Sequence, residues 1–153
     1  MSGFLFDELS EFKQNLMKEV QEKFPKEYEK FLKNEAKTIK KTAQKIARKE
    51  VKKGDLHTRY DKKKQKEIST NYHKNFKIGK KYTYDGNVCI RVFNSARHAH
   101  LIENGHVLYS HGKPVGFVLG EMVFKITEYE SKTQFLDDAE KFLYEYFDKT
   151  TER

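Results

Sequence analysis

The chain has 153 residues, of which 35% are charged and 37% apolar, and its formal net charge is +8. This length predicts a single domain over residues 1–153. The absence of any run of about 18 apolar residues argues against a transmembrane helix and a membrane partner. The single cysteine, Cys89, excludes an intramolecular disulfide framework. Because the N-terminus also lacks the pattern of a signal peptide, we expect an intracellular origin.

The charge is unevenly distributed along the chain. Residues 37–66 hold thirteen basic and three acidic residues, a net charge of +10, whereas residues 121–153 hold five basic and nine acidic residues, a net charge of −4. Blocks of this kind favour contact with a polyanion or with a neighbouring subunit of opposite charge.

The N-terminal region, residues 1–53, is predicted to be helical. Apolar residues recur every three or four positions from Phe4 to Phe24 and again from Lys26 to Lys53. Pro25 either breaks the helix or opens the second one at its first turn. Gly54 is predicted to cap the second helix at its C-terminus.

The segment Asp55–Ser69 has almost no apolar periodicity, so residues 54–71 are predicted to form an exposed basic loop or mobile arm. Four of its basic residues, with two that precede it, are predicted to lie at a subunit or partner interface: Lys52, Lys53, Arg59, Lys62, Lys63 and Lys64.

Strand patterns follow. Tyr72–Ile78 predicts a weak strand, and the β-branched, apolar run Asn87–Phe93 predicts a strong one that buries Cys89. Between them, Tyr84–Asn87 contains Asp-Gly, which is typical of a tight hairpin turn.

The next segment, Ser95–Asn104, fits a short helix ended by Gly105. His106–Ser110 and Val115–Leu119 are predicted to pair as strands across the turn at residues 111–114. A last helix is predicted from residue 120 or 121 onward. Residues 72–120 would thus form a β-rich core and residues 121–150 a C-terminal helix. The fold class is α+β, with a small antiparallel sheet packed with long N-terminal and C-terminal helices and an extended basic loop.

Four histidines lie within fourteen residues: His98, His100, His106 and His111. One alternative is a metal hydrolase in which His98, His100 and His106 bind zinc and Glu103 acts as general base. However, side chains two residues apart on a helix diverge by about 200°. We therefore favour histidines that line a turn-rich surface at a subunit contact, and we predict no cofactor, no metal and no catalytic residue.

A second alternative is a nucleic-acid-binding protein that uses the basic patch Lys37–Lys66 to neutralise phosphates. Tyr60 and Tyr72 are candidates for stacking on bases. No helix-turn-helix, finger or single-strand-binding signature accompanies the patch.

Residues Asn94–His106 read NSARHAHLIENGH. Preceded by a strand and followed by a glycine-containing turn, a strand and an amphipathic helix, this run resembles the small neck proteins of tailed bacteriophages. These are called tail-completion, tail-terminator or head–tail joining proteins, and relatives occur in prophages and phage-tail-like bacteriocins. The resemblance covers residues 26–148 and depends mainly on Ala99, Leu101, Glu103 and Gly105.

The resemblance implies a structural, non-enzymatic protein of a virion or phage-tail-like particle, assembled in the cytoplasm of the bacterial host. It implies rings, commonly hexameric, that contact tail-tube, tail-terminator or head-connector proteins and are passed by DNA. Within the signature we expect Leu101 and Ile102 to anchor the segment. We expect Glu103 to cap a backbone amide or to pair with a neighbour, and Gly105 to form a left-handed turn. His98, His100, Glu103 and His106 join the basic residues in the expected interface.

Overall fold

A computed structural model describes residues 14, 15, 18–52, 58–63, 65–69 and 71–151 of the chain. It confirms the α+β class. Its described helices are α1 (Phe24–Glu50), α2 (Ala99–Asn104) and α3 (Val123–Thr151). Its described strands form three antiparallel two-stranded hairpins: β1 (Thr58–Asp61) with β2 (Lys66–Ser69), β3 (Phe76–Tyr84) with β4 (Asn87–Asn94), and β5 (His106–Ser110) with β6 (Lys113–Val118).

The predicted first helix, Phe4–Phe24, falls largely outside the described residues. Its described end forms a π-helical turn, Glu19–Lys23, that runs directly into α1. Pro25 therefore opens α1 within its first turn, where its missing N–H costs no hydrogen bond.

The prediction that Gly54 caps this helix is wrong, because α1 ends at Glu50. Val51 adopts an extended conformation there, and its N–H donates to the Ala47 carbonyl at 2.9 Å. Gly54 itself lies outside the described residues.

Helices α1 and α3 pack together through aromatic rings. The Phe31 ring of α1 lies 5.9 Å from that of Phe135 and 4.8 Å from that of Phe142, both on α3. The ring of Phe24, the first residue of α1, lies 5.1 Å from that of Tyr146, measured between ring centroids, in an edge-to-face arrangement. Such pairs are favoured beyond the apolar area that they bury, so they hold the two long helices in register.

The hydrophobic core lies where the C-terminal half of α1 meets the starts of β3 and α3. Small residues on one face of α1 let the other elements approach closely. The buried members of the core are Ala43, Ile46, Ala47, Tyr72, Phe76, Ala96 and Val123. Thr127 is also buried, and its hydroxyl donates to the Val123 carbonyl at 2.7 Å, so this polar group is satisfied.

The exposed loop or arm predicted over residues 54–71 contains two strands in its described part, which the prediction did not include. Thr58 pairs with Ser69 and Asp61 with Lys66, so β1 and β2 form a hairpin. Its turn contains Gln65 with a φ of 48°. Since backbone hydrogen bonds form this ladder, the lack of an apolar pattern did not prevent it.

The predicted weak strand Tyr72–Ile78 is also corrected. Tyr72–Lys74 forms a 3-10 turn, capped by the Asn71 side chain, which accepts from the His73 N–H at 2.8 Å. Strand β3 starts only at Phe76 and runs on to Tyr84.

The predicted β3–β4 turn is confirmed, with Asp85 and Gly86 at φ values of 49° and 75°. Strand β4 is also confirmed, but Cys89 is half-buried, not buried. Cys89 pairs with Tyr82 of β3, which is itself exposed, so this end of the hairpin is not packed into the core.

The last three elements follow the prediction with shifted bounds. The turn between β5 and β6 consists of His111 and Gly112, with φ values of 50° and 76°, so β6 already begins at Lys113. Helix α3 begins at Val123, two to three residues later than predicted. None of the described helices combines the length and apolarity needed to cross a membrane.

One ion pair connects α1 to β3, and we expect it to make stability sensitive to acid. The Glu29 carboxylate lies 2.7 Å from the Lys33 ammonium and 2.6 Å from that of Lys81. Hydrogen bonds from these two lysines hold the pKa of Glu29 at about 2, below its ordinary value of 4.5. A depressed carboxyl pKa stabilises the fold above the ordinary pKa, and this stabilisation is lost as the pH falls toward 2.

Glu29→Gln should therefore remove part of the fall in melting temperature between pH 5 and pH 2. Glu27→Gln is the matched control, since Glu27 pairs only locally with Lys30. Identical acid profiles for the two variants would contradict a role for the Glu29–Lys81 contact.

Candidate functional site

A row of basic side chains follows the outer face of α1. Lys37, Lys41, Lys45 and Arg48 are spaced by three or four residues, are exposed, and lie opposite the buried face of the helix. We call these four residues the basic stripe. No carboxylate of the described residues pairs with Lys41, Lys45 or Arg48. These three side chains therefore leave uncompensated positive charge at the surface of α1.

The basic residues predicted for an interface continue beyond this stripe. Lys52 is exposed just after α1, Arg59 lies in β1, and Lys62 and Lys63 are exposed in the β1–β2 turn. Lys53 and Lys64 lie outside the described residues. The structure thus distributes these residues over a helix end and a hairpin.

The histidines do not come together. His98 is half-buried beside Tyr72, with ring centroids 6.5 Å apart, and His100 is exposed on α2. His106 is half-buried at the start of β5. In the part of the chain that the structure describes, no group of three or more His, Cys, Asp or Glu residues could hold a metal ion. His98, His100 and His106 therefore do not form a zinc-ligand set with Glu103.

Glu103 performs one of its two predicted roles, because it caps a backbone amide. The N–H of Phe124 donates to both carboxylate oxygens at 3.0 Å, and the N–H of Lys125 donates to Oε1 at 3.2 Å. These amides lie in the first turn of α3, where they have no partner within the helix and where the helix dipole favours an anion. Glu103 thereby ties the end of α2 to the start of α3.

Backbone hydrogen bonds reinforce this connection. The N–H of Glu121 donates to the Ile102 carbonyl at 2.7 Å, and the N–H of Met122 donates to the Glu103 carbonyl at 3.3 Å. Carbonyls at the end of α2 are thereby satisfied. We call residues 102–105 together with residues 120–125 the α2–α3 junction.

Two glycines allow the two backbone segments of the junction to touch. Gly105 has a φ of 79°, which confirms a positive φ, but its ψ of 178° is extended and not left-handed helical. A Cβ on Gly105 would lie 2.8 Å from the Gly120 nitrogen and would also collide with the Val118 carbonyl oxygen. A Cβ on Gly120 would lie 2.6 Å from the Gly105 nitrogen. The role of Gly120 was missed in the sequence, where only its position before a helix was noted.

The other signature residues lie between the junction and the core. Ala99, Leu101 and Ile102 are all half-buried, and of these Ala99 and Ile102 pack against the core, as expected for Ile102. Tyr72 is buried at 3% exposure, and burial raises the pKa of its hydroxyl, with a further contribution from the Glu103 carboxylate. The candidate base-stacking role of Tyr72 is therefore wrong, because its ring is inside the core.

We expect Tyr72→Phe to be neutral or to stabilise the fold by up to about 1 kcal/mol. The buried hydroxyl of Tyr72 has no hydrogen-bond partner among the described residues, so its removal leaves no group unpaired. Urea denaturation would measure this, with Tyr82→Phe on exposed β3 as the control. A loss above about 1 kcal/mol would reveal a hydrogen bond to the Tyr72 hydroxyl.

A family model described as "Bacteriophage HK97-gp10, putative tail-component" matches residues 10–105. The chain belongs to this HK97-gp10-like family. No curated protein and no solved structure matches the chain at a significant level. The family confirms the resemblance to phage tail proteins, and it supports a virion structural role.

The match ends at Gly105, the C-cap residue of α2. The HK97-gp10-like segment thus includes α1, the first two hairpins and the Glu103 carboxylate. Hairpin β5–β6 and α3 lie beyond it. Glu103 therefore connects the family segment to the elements that follow it.

Proposed function

We propose that this chain forms a ring, hexameric in the phage particle, at the head–tail or tail-end interface, where it joins or completes the tail. Its role is structural, and residues 1–153 act as one domain in which α3 returns along α1. The family supports a tail component. The ring and its place in the neck are our inference, and they put the protein in the virion or in a phage-tail-like particle.

The observation that carries the ring is the opposite charge of the two long helices. Helix α1 holds nine basic and four acidic residues, whereas α3 holds four basic and seven acidic residues. A head-to-tail ring requires two different, complementary surfaces on each subunit. Opposite charges on these surfaces would select the register of the contact more than its strength.

We assign the basic side of this contact to the basic stripe, extended by Lys52, Lys53, Arg59, Lys62, Lys63 and Lys64. We also assign to this contact the exposed His100 of α2 and the accessible edges of His98 and His106. Glu103 is assigned to the fold, since both of its oxygens already accept hydrogen bonds within the chain. Tail-tube, tail-terminator or head-connector proteins would stack above and below the ring.

The test is native mass by light scattering, with and without tail-tube or connector protein. We expect a species of about six times the 18.2 kDa subunit mass, and we expect salt, which screens the charged contact, to weaken it only in part. The double variant Lys41→Glu/Lys45→Glu should abolish this species. The matched control is Lys74→Glu/Lys80→Glu, which makes the same charge change at exposed lysines outside the stripe.

A chain that remains monomeric under all of these conditions would contradict the ring. A ring that survives the stripe variant, or one that the control variant abolishes equally, would contradict the assignment of the contact.

A second candidate function is nucleic-acid binding, and the unpaired charge of Lys41, Lys45 and Arg48 favours it. These three side chains could neutralise phosphates of DNA that passes the ring. Binding to duplex DNA would then weaken steeply with salt, and Lys41→Glu/Lys45→Glu would lower the slope by about two. No binding near physiological salt would exclude this function.

A further inference from the structure

The β5–β6 hairpin carries an apolar face that no other described element covers. Val107 and Phe117 are a cross-strand pair on this face, and Tyr109 follows Val107 on it; these three side chains are between 42% and 69% exposed. Val115, 63% exposed, is the bulged residue of β6 next to them. Val107 lies directly opposite Phe117, and the two strands pack chiefly against each other. A two-stranded hairpin alone is only marginally stable in water, so this face calls for a partner.

The base of the hairpin is firmly held. Gly105 precedes β5 and Gly120 follows β6, and the two glycines touch in the α2–α3 junction. The Glu121 N–H binds the Ile102 carbonyl at the same place. The hairpin therefore projects from a fixed base, which lowers the entropy cost of docking it.

A second uncovered apolar surface lies on α3. Tyr129, Leu136 and Leu143 are seven residues apart, so they share one face of the helix, and they are between 42% and 86% exposed. We call these three residues the outer stripe. Phe135 and Phe142 lie about 100° around α3 from the outer stripe and face Phe31, so the contact with α1 leaves the outer stripe exposed.

The two surfaces match in length and charge. A strand of five or six residues extends about 17–20 Å, and the fourteen-residue span of the outer stripe extends about 21 Å. Residues 104–120 contain no acidic residue and include Lys113, whereas α3 has more acidic than basic residues. The basic tip of the hairpin therefore suits the acidic helix.

We infer that the apolar face of hairpin β5–β6 packs on the outer stripe of α3 in a second copy of this chain. This inference rests on the proposed ring and names one of its subunit contacts. The contact joins two different surfaces, so it propagates from copy to copy and can close into a ring. One such contact covers the outer stripe and this face of the hairpin at once.

Pairing of two α3 helices through their outer stripes fits less well. Lys132 and Glu140 lie between the stripe residues, four positions from Leu136. A helix pair needs apolar residues at these intermediate positions. Such a pair would also leave the hairpin face exposed.

Thiol cross-linking tests the contact. Cys89→Ser removes the single cysteine, and Val115→Cys and Leu136→Cys are then made in separate chains. A short bis-maleimide should give a covalent dimer when the two variants are mixed, and at least tenfold less with either variant alone. Tyr84→Cys, at the exposed tip of the β3–β4 hairpin, replaces Val115→Cys as the matched control.

A second measurement uses the assembled protein. Val115→Lys should weaken self-association at least tenfold, whereas Tyr84→Lys should not, and both variants should keep the parent melting temperature because both side chains are exposed. Native mass is recorded for the same samples.

The outcomes separate the two ideas. A ring-sized mass without the Val115–Leu136 cross-link overturns the hairpin contact and leaves the ring. Cross-linking of Val115→Cys with itself indicates a two-fold hairpin contact and also overturns the inference. A monomeric mass with no cross-link at the highest attainable concentration overturns both the contact and the ring.

Discussion

Gly105→Ala and Gly120→Ala are each expected to lower the free energy of unfolding by about 2–4 kcal/mol, the largest single-residue effects that we predict. A methyl group on Gly120 would lie 2.6 Å from the Asn104 carbonyl carbon and from the Gly105 nitrogen. These are backbone atoms, so the collision cannot be relieved by a rotamer change. The α2–α3 junction would have to open.

Gly105→Ala adds a backbone cost to the collision, because Gly105 has a φ of 79°. This second cost can be isolated with Gly112→Ala. Gly112 has a φ of 76°, and nothing lies within 4 Å of the position of its missing Cβ. Gly112→Ala should therefore show the backbone strain alone, about 1–2 kcal/mol.

Urea denaturation of the three variants measures these free energies, provided that each unfolds in one cooperative transition. The difference in free energy of unfolding between Gly105→Ala and Gly112→Ala reports the close approach of the two backbone segments at Gly105 and Gly120. Equal losses of unfolding free energy for these two variants would show that the two backbone segments do not touch at Gly105.

Glu103→Ala is expected to destabilise the protein by about 1–3 kcal/mol, because the N–H groups of Phe124 and Lys125 would lose their acceptors. Glu103→Gln should cost less, since an amide oxygen can still accept one hydrogen bond but carries no charge for the helix dipole. The same denaturation assay applies.

Glu121→Ala is the control for this series. Glu121 is an exposed acid in the segment before α3, so its loss changes the local charge without removing the cap. If Glu103→Ala were no more destabilising than Glu121→Ala, Glu103 would not hold the start of α3. Loss of ring formation by a Glu103→Ala variant that keeps the parent free energy of unfolding, and therefore an intact junction, would instead return Glu103 to the subunit interface.

The effect of Glu103 is expected to reach the last hairpin. The same junction holds the start of α3 and the base of β5–β6. A variant that loosens it should weaken self-association as well as folding, whereas Val115→Lys should weaken self-association alone. The two variants therefore separate support of the hairpin from its docking.

Local patterns predicted much of the fold. The apolar periodicity of α1 and α3 and the β-branched run of β4 are properties of short stretches, and so are the positive-φ turns at Asp85-Gly86 and His111-Gly112. The family, too, was recognisable from a short run around Ala99, Leu101, Glu103 and Gly105. Each of these signals acts over a few residues, which is why the sequence alone carries it.

The errors arose where distant residues or the backbone decided the structure. Strands β1 and β2 are polar, and the second half of β3 contains Lys80 and Lys81, yet both hairpins form through backbone pairing. Cys89 is half-buried because it lies beside exposed Tyr82, at the end of the hairpin that is not packed into the core. Side-chain patterns do not record either fact.

The sequence by itself therefore determined the α+β class, the phage-tail family, the uneven charge and the turn positions. Only the tertiary structure decided that the Glu103 carboxylate reaches amides twenty-one residues away, and that Gly105 meets Gly120. It also decided which apolar residues stay uncovered, since Val115 and Leu136 have the same character in the sequence as buried Val123 and Ile46. Burial depends on what packs against a residue, and that partner lies far away along the chain.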